Sequence, residues 1–103
     1  MSYSYLLHPL AQKEYETSLK FYLERSSRAA ENFSLAVEHA FELICEHPLR
    51  WRNEYRNYYE LGLKKYPFTI IYTIEENKKS VLIIAVYQQK RRPGRKYRKP
   101  KTS

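Results

Sequence analysis

The sequence is poor in cysteine and contains no long apolar run. Its single cysteine, Cys45, excludes an intrachain disulfide and a cysteine-based zinc cluster, and the apolar helical pattern around it predicts a buried thiol. Residues 1–9 have neither the basic nor the apolar stretch of a secretion signal, and no segment approaches the roughly 18 apolar residues that cross a bilayer. We therefore expect a soluble cytoplasmic protein in a reducing compartment, with no membrane partner.

Acidic residues are missing from the end of the chain. Residues 1–89 hold eleven basic and eleven acidic residues, whereas residues 90–103 hold eight basic residues and no acid, so this tail carries the whole net charge of +8. Such a segment attracts polyanions or acidic proteins; alternatively, it only keeps the protein soluble. We predict a single domain, residues 1–89, followed by a basic C-terminal segment, residues 90–103.

Two runs rich in β-branched and aromatic residues form the centre of the predicted sheet. They span residues 66–74 and 81–87 and are separated by a polar turn, which predicts an antiparallel hairpin. The second run is apolar at seven consecutive positions, as is typical of a central strand buried on both faces.

Two helices are predicted before this hairpin, because apolar residues recur there at spacings of three or four. The first spans residues 9–25 with a proline in its first turn, and the second runs from a cap at Ser26 or Ser27 to about residue 46, just before Pro48. The predicted buried stripe of the first helix is Leu10, Ala11, Tyr15, Leu19, Tyr22 and Leu23. That of the second is Ala30, Phe33, Val37, Ala40, Phe41 and Ile44.

The remaining segments complete the predicted fold. Residues 3–7 and 58–63 are predicted strands, and residues 49–57 a polar connection that Trp51 pins to the core. Arginines flank Trp51, and an RNA-stacking surface is the alternative interpretation of that pattern. The order β-α-α-β-β-β predicts an α+β domain in which an antiparallel sheet packs on a helical hairpin, with the first strand beside the last.

Three stretches of the sequence resemble those of a known family. They are residues 8–15 (HPLAQKEY), residues 58–72 with YYEL before YPFTIIY, and residues 86–93 (VYQQKRRP). With the order of elements and the basic end, they resemble the RelE/ParE superfamily of toxins from type II toxin-antitoxin modules, often called plasmid stabilisation proteins. The resemblance covers residues 3–97. It implies a cytoplasmic bacterial protein held inactive by a cognate antitoxin, whose extended or helical C-terminal segment wraps the toxin.

The superfamily contains two mechanisms. RelE-like members cut mRNA in the ribosomal A site, whereas ParE-like members poison DNA gyrase without being enzymes. The nuclease branch typically has an arginine early in the strand after the aromatic-flanked turn, and an arginine or histidine just after the last strand. The matching residues here are Thr69, Gln88 and Gln89. Their neutral side chains supply neither the positive charge nor the proton transfer that RNA cleavage needs.

The candidate site residues are therefore mostly basic. For a nuclease they are Lys64, Lys65, Arg91 and Tyr97. For binding of a target or a nucleic acid they are Gln88, Gln89, Lys90, Arg91, Arg92, Arg95 and Lys96. The histidines His8, His39 and His47 qualify as general bases by residue type alone, and each is predicted to be structural or merely exposed. No second ligand stands at metal-binding spacing near His8, so we expect neither a metal nor a cofactor.

Three functions remain open at this point. The favoured hypothesis is a ParE-like toxin that binds its target, expected to be DNA gyrase, through Arg91, Arg92 and the rest of the basic segment. The second is a RelE-like, ribosome-dependent mRNA endoribonuclease, the one hypothesis under which the chain is an enzyme. The third is an inactive toxin fold or a small basic nucleic-acid-binding domain, in which the tail contributes only salt-sensitive attraction to phosphates.

Overall fold

The computed structural model describes residues 3–89, except the side chain of Glu54. The elements are β1 (Ser4–Leu7), α1 (Pro9–Arg25), α2 (Ser27–Glu46), β2 (Arg52–Tyr55), β3 (Tyr58–Gly62), β4 (Phe68–Glu75) and β5 (Ser80–Gln88). The strands form one sheet in the order β1-β5-β4-β3-β2, and the helical hairpin packs on one of its faces. This confirms the predicted α+β class.

Side chains cap both helices at their first turn. The Nδ1 atom of His8 accepts a hydrogen bond of 3.1 Å from the backbone N–H of Leu10, and the Oγ atom of Ser26 accepts one of 2.9 Å from Ala29. Each cap satisfies a backbone donor that has no partner within the helix. The predicted cap at Ser26 is confirmed, and so is the structural role of His8, which is buried.

The sheet is mixed, so the prediction of an antiparallel sheet is wrong for one strand. β1 lies beside β5, as predicted, but runs parallel to it, from the pair Ser4 and Ser80 to the pair Leu7 and Ile83. β3, β4 and β5 are joined by short connections and alternate in direction. β1 instead reaches the sheet through the helical hairpin, and such a long crossover permits a parallel neighbour. The alternation of residues in β1 does not indicate whether the strand runs parallel or antiparallel to β5.

The predicted connection at residues 49–57 contains an additional strand. β2 pairs antiparallel with β3 at the edge of the sheet, with a register shift between Asn53 and Tyr55. The turn between the two strands places Arg56 at a φ of 51°, and Asn53 donates to the Arg56 carbonyl at 3.0 Å. A short polar edge strand of this kind has the composition of a loop, so its sequence does not predict a strand.

The main core lies between the helices and the sheet. All six predicted residues of the α2 stripe are buried, and all of them except Ala30 belong to this core, with residues such as Ile70, Tyr72 and Ile83. Cys45 is also buried, and Trp51 packs against this core, as predicted. Two predictions for α1 are wrong, because Leu10 and Leu23 are 48% and 55% exposed.

The other face of the sheet carries a smaller buried cluster of apolar side chains. Its members are Tyr58, Ile71, Ile84, Ala85 and Tyr87. Ile71 precedes Tyr72, which faces the helices, so the alternation of side chains places Ile71 on the opposite face. The register between β4 and β5 shifts at this point and leaves Ile84 as the extra residue of a β-bulge. The prediction that the last strand is apolar on both faces is thereby confirmed.

Candidate functional site

Two neutral side chains form a hydrogen-bonded pair at one end of the sheet. The Nε2 atom of Gln89 donates to the Thr69 hydroxyl at 3.2 Å and lies 3.4 Å from the Phe68 carbonyl oxygen. The backbone N–H of Gln89 donates to the Pro67 carbonyl at 2.9 Å, which holds the end of β5 against the start of β4. We call this arrangement the Thr69–Gln89 pair. The resemblance to the nuclease branch implies cationic or imidazole groups at these two places.

The chemistry of the Thr69–Gln89 pair is limited to hydrogen bonding. Thr69 is buried and Gln89 is exposed, and neither side chain carries a charge or transfers a proton near neutral pH. Gln88, the last residue of β5, is half-buried and pairs with Phe68. These residues can position a ligand through hydrogen bonds, but they supply no positive charge to offset the extra negative charge of a phosphoryl transition state.

Lys64 and Lys65 lie in the loop between β3 and β4, which Leu63 closes by donating from its backbone to the Phe68 carbonyl at 2.9 Å. Both lysines are exposed. They line a cleft of about 290 Å³ between this loop and α2, together with Trp51 and His39. The same loop contains Pro67, which binds Gln89, so the lysines lie at the end of the sheet where the Thr69–Gln89 pair lies.

The basic part of the candidate site falls outside the described residues. Lys90, Arg91, Arg92, Arg95, Lys96 and Tyr97 belong to this part. The chain reaches it from Gln89, directly beside the loop that carries the two lysines. The roles of these residues, and the division of the chain at residue 90, therefore stay predictions.

A protein-family model described as the ParE toxin of the type II toxin-antitoxin system parDE matches residues 5–93. The chain belongs to the ParE toxin family. The RelE/ParE resemblance inferred from the three sequence stretches is thereby confirmed. No curated protein sequence matches the chain at a significant level.

Solved structures from the ParDE and RelBE2 toxin-antitoxin systems and of the RelE toxin share the fold of this ParE family member. A chain of the chromosomal ParDE toxin-antitoxin system from P. aeruginosa aligns with a TM-score of 0.71 at 12% identity, over 84% of this chain and 96% of that one. The isolated E. coli RelE toxin aligns with a TM-score of 0.62 at 16% identity, over 92% and 93%. A chain of the RelBE2 toxin-antitoxin complex from Mycobacterium tuberculosis gives 0.57 at 18% identity, over 85% and 92%. At these identities the likeness concerns the fold alone.

The three histidines of this ParE family member occupy different elements. His8 caps α1, and His47 ends α2. His39 is exposed on α2, with its Nδ1 atom 3.9 Å from a carboxylate oxygen of Glu42. Among the described residues, no hydrogen bond joins any of these histidines to the Thr69–Gln89 pair. Within residues 3–89, no group of three or more histidine, cysteine or acidic side chains is arranged to hold a metal ion.

The cleft has no signature in the sequence, because its walls come from distant segments. Trp51 follows the turn after α2, and this turn is anchored when the Tyr72 hydroxyl donates to the Pro48 carbonyl. Burial, with a smaller contribution from Tyr59, raises the pKa of Tyr72 well above its usual range, so the hydroxyl keeps its proton.

None of the described helices is long and apolar enough to cross a membrane.

Proposed function

We propose that this protein is the toxin of a bacterial type II toxin-antitoxin module, that it acts by binding DNA gyrase, and that a cognate antitoxin neutralises it. The Thr69–Gln89 pair is the observation that carries the choice of mechanism. RNA cleavage needs a cation near the reacting phosphate and a group that transfers protons, and the pair offers neither. A toxin that works by surface contact needs neither group.

The family match supports the toxin function, and the charge distribution supports a binding surface. Gln88 ends β5, Gln89 follows it, and eight basic residues come next in residues 90–103. A neutral domain with one strongly cationic end presents a localised field, which steers an acidic partner to that end. Under this proposal Arg91 and Arg92, together with Lys90, Arg95 and Lys96, contact the target.

The antitoxin partner is proposed because two of the structural neighbours come from toxin-antitoxin systems. The P. aeruginosa neighbour is a ParDE toxin-antitoxin system, and the M. tuberculosis neighbour is a toxin-antitoxin complex. A protein with this fold and family would be encoded beside its neutralising partner. The adjacent reading frame, with an acidic C-terminal half, is the expected source of that partner.

A RelE-like nuclease remains the second candidate, favoured by the exposed Lys64 and Lys65 at the same end of the sheet. With Arg91 and Tyr97 they could bind an mRNA codon through charge and stacking. Such a set binds phosphate well but lacks an evident general base. This candidate predicts that changing the two lysines reduces toxicity, whereas the gyrase proposal predicts no such loss.

Pulse labelling of protein, DNA and RNA synthesis after induction of the chain tests the proposal. DNA synthesis should fall first, and co-expression of the adjacent reading frame should prevent the fall. Purified protein should also inhibit supercoiling of plasmid DNA by gyrase. If protein synthesis stopped first, the nuclease candidate would replace the proposal. If all three rates stayed normal, the chain would be an inactive toxin fold or a plain nucleic-acid-binding domain.

A further inference from the structure

Both faces of the sheet are shielded from solvent, although the helices cover only one of them. We call the side turned away from α1 and α2 the outer face. The alternation of side chains along the strands places eight buried residues on it: Tyr58, Glu60, Thr69, Ile71, Thr73, Ile84, Ala85 and Tyr87. Each is at most 8% exposed, and none of the described residues of the outer apolar cluster comes from a helix. Since an antiparallel sheet with one covered face normally turns solvated polar residues to the other, this burial requires a covering layer.

Glu60 gives the buried outer face a negative charge. It is 7% exposed, and Arg52 stands opposite it in the register between β2 and β3. A buried carboxylate is stable only when cations and hydrogen-bond donors surround it, and its two oxygens accept up to about four hydrogen bonds. A cation from the covering layer can therefore bind Glu60 alongside Arg52. The occupant of the outer face should accordingly combine apolar or aromatic side chains with positive charge.

The last described residue, Gln89, directs the chain toward the outer face. Thr69 lies on that face, and the Gln89 Nε2 atom reaches its hydroxyl at 3.2 Å. The same nitrogen lies 3.9 Å from the position that a Cβ atom on Gly62 would take. Gly62 belongs to β3 and pairs with Thr69 of β4. The Gln89 side chain thus extends from the end of β5 across β4 toward β3.

Residues 90–103 have the length and the composition to form the covering layer. Fully extended, these fourteen residues reach up to roughly 46 Å. The three strand spacings from β5 to β2 amount to only roughly 14 Å. The segment contains eight cations, no acid and one aromatic residue, Tyr97. Its dipeptide Pro93-Gly94 is typical of turns, so the segment can also reverse its direction over the sheet.

We propose that residues 90–103 dock on the outer face of their own chain, where an arginine of the segment pairs with Glu60. The segment is then an ordered layer of the fold, and those of its cations that do not face the sheet form a fixed basic surface. A fixed surface loses less conformational entropy on binding an acidic target than a flexible tail does. The inference goes beyond the proposed function and does not depend on it, because docking is a property of the isolated chain.

Limited digestion of the full-length chain by trypsin tests this docking. Trypsin cleaves after lysine and arginine, so Arg95, Lys96 and Arg98 report on the segment without any label. A synthetic peptide of residues 88–103 is the undocked reference. Because cleavage follows the population of the open form, the segment in the full chain should be cut about tenfold or more slowly than the peptide. Cleavage at the rate of the peptide overturns the proposal.

Glu60→Gln removes the negative charge of the outer face and should speed cleavage of the segment about tenfold. Glu75→Gln makes the same change on an exposed residue of the same face and should leave the rate as in the parent chain. Cleavage after Lys13 and Lys20 of α1, measured in the same digest, shows whether a variant has unfolded. Equal rates for the two variants, with α1 intact, overturn the pairing at Glu60.

Nuclear Overhauser effects measure the contact directly and need no substitution. In isotope-labelled full-length protein, the methyl groups of Ile71 and Ile84 should show these effects to protons of residues 90–103. Effects to water in their place overturn the docking.

A second copy of the chain is the competing occupant of the outer face. If protection from trypsin increases with protein concentration and sedimentation shows a dimer, the segment covers the face of a partner, and docking on the same chain is overturned. Protection that is independent of concentration supports it. All these measurements use the purified chain without a target, so their failure leaves the toxin function standing, and absence of toxicity in cells leaves the docking standing.

Discussion

The carboxylate of Glu14 accepts a hydrogen bond of 3.0 Å from the backbone N–H of Val86 and so ties α1 to β5. β1 pairs with β5 only as far as Ile83, and it therefore does not reach Val86. A side chain from α1 supplies the acceptor that the neighbouring strand does not, just beyond the bulge at Ile84. The end of β5 thus reaches the candidate site in a position that α1 helps to define.

Glu14→Ala should destabilise the fold by roughly 1–3 kcal/mol, since it leaves the Val86 N–H without this acceptor. Glu14→Gln keeps a side-chain oxygen and should cost less. Chemical denaturation of both variants measures the difference. Glu16→Ala, two residues along α1 and exposed, is the control and should change stability by less than about 0.5 kcal/mol. Equal stability of Glu14→Ala and the parent chain would show that the contact contributes nothing.

Phe41→Ala and Ile83→Ala should each cost roughly 2–5 kcal/mol, because both side chains are buried in the main core and truncation leaves a cavity. Urea denaturation gives the free energies of unfolding. Leu23→Ala, at a position 55% exposed, should stay within about 0.5 kcal/mol of the parent chain. A neutral result for either core variant would contradict the packing of that helix stripe or strand face.

The stability of the fold should decrease as pH rises above about 10, and Tyr72 should contribute to the decrease. Burial raises the pKa of Tyr72 in the folded state, so above pH 10 the unfolded chain loses this proton before the folded chain does. Deprotonation then favours unfolding. Denaturation at a series of pH values from 8 to about 11 should show a shallower decrease for Tyr72→Phe. Tyr55→Phe, at an exposed edge position, is the control for removal of a tyrosine hydroxyl.

Combined replacement of Lys90, Arg91 and Arg92 by alanine should lower toxicity while the fold survives. These residues lie outside the described part of the chain, and the main core of the described part is built from apolar side chains. Growth after induction and the circular dichroism spectrum are the two measurements. A variant with Lys13, Lys20 and Lys78 changed to alanine removes the same charge from exposed sites of the body. Full toxicity of the Lys90–Arg92 variant would refute a functional basic end.

Some of the candidate site could be read from the sequence and some could not. Thr69 and Gln89 were singled out separately, by comparison with the nuclease branch. Their contact is a property of the register between β4 and β5, which pairs Thr69 with Tyr87 and brings Gln89 alongside. The cleft could not be anticipated, since Ala36, Trp51 and Tyr66 belong to a helix, a turn and a loop that meet only in the folded protein.

The sequence by itself determined the elements that have a strong local signal. The α2 stripe, the cap at Ser26 and the apolar run of β5 each express a periodicity or a hydrogen bond within a few residues. The tertiary structure decided what depends on distant partners. It set the parallel direction of β1, because a strand that returns through a helical hairpin can run either way. It also made residues 52–55 an edge strand. Their polar composition does not predict a strand, but β3 supplies the hydrogen-bond partners that form one.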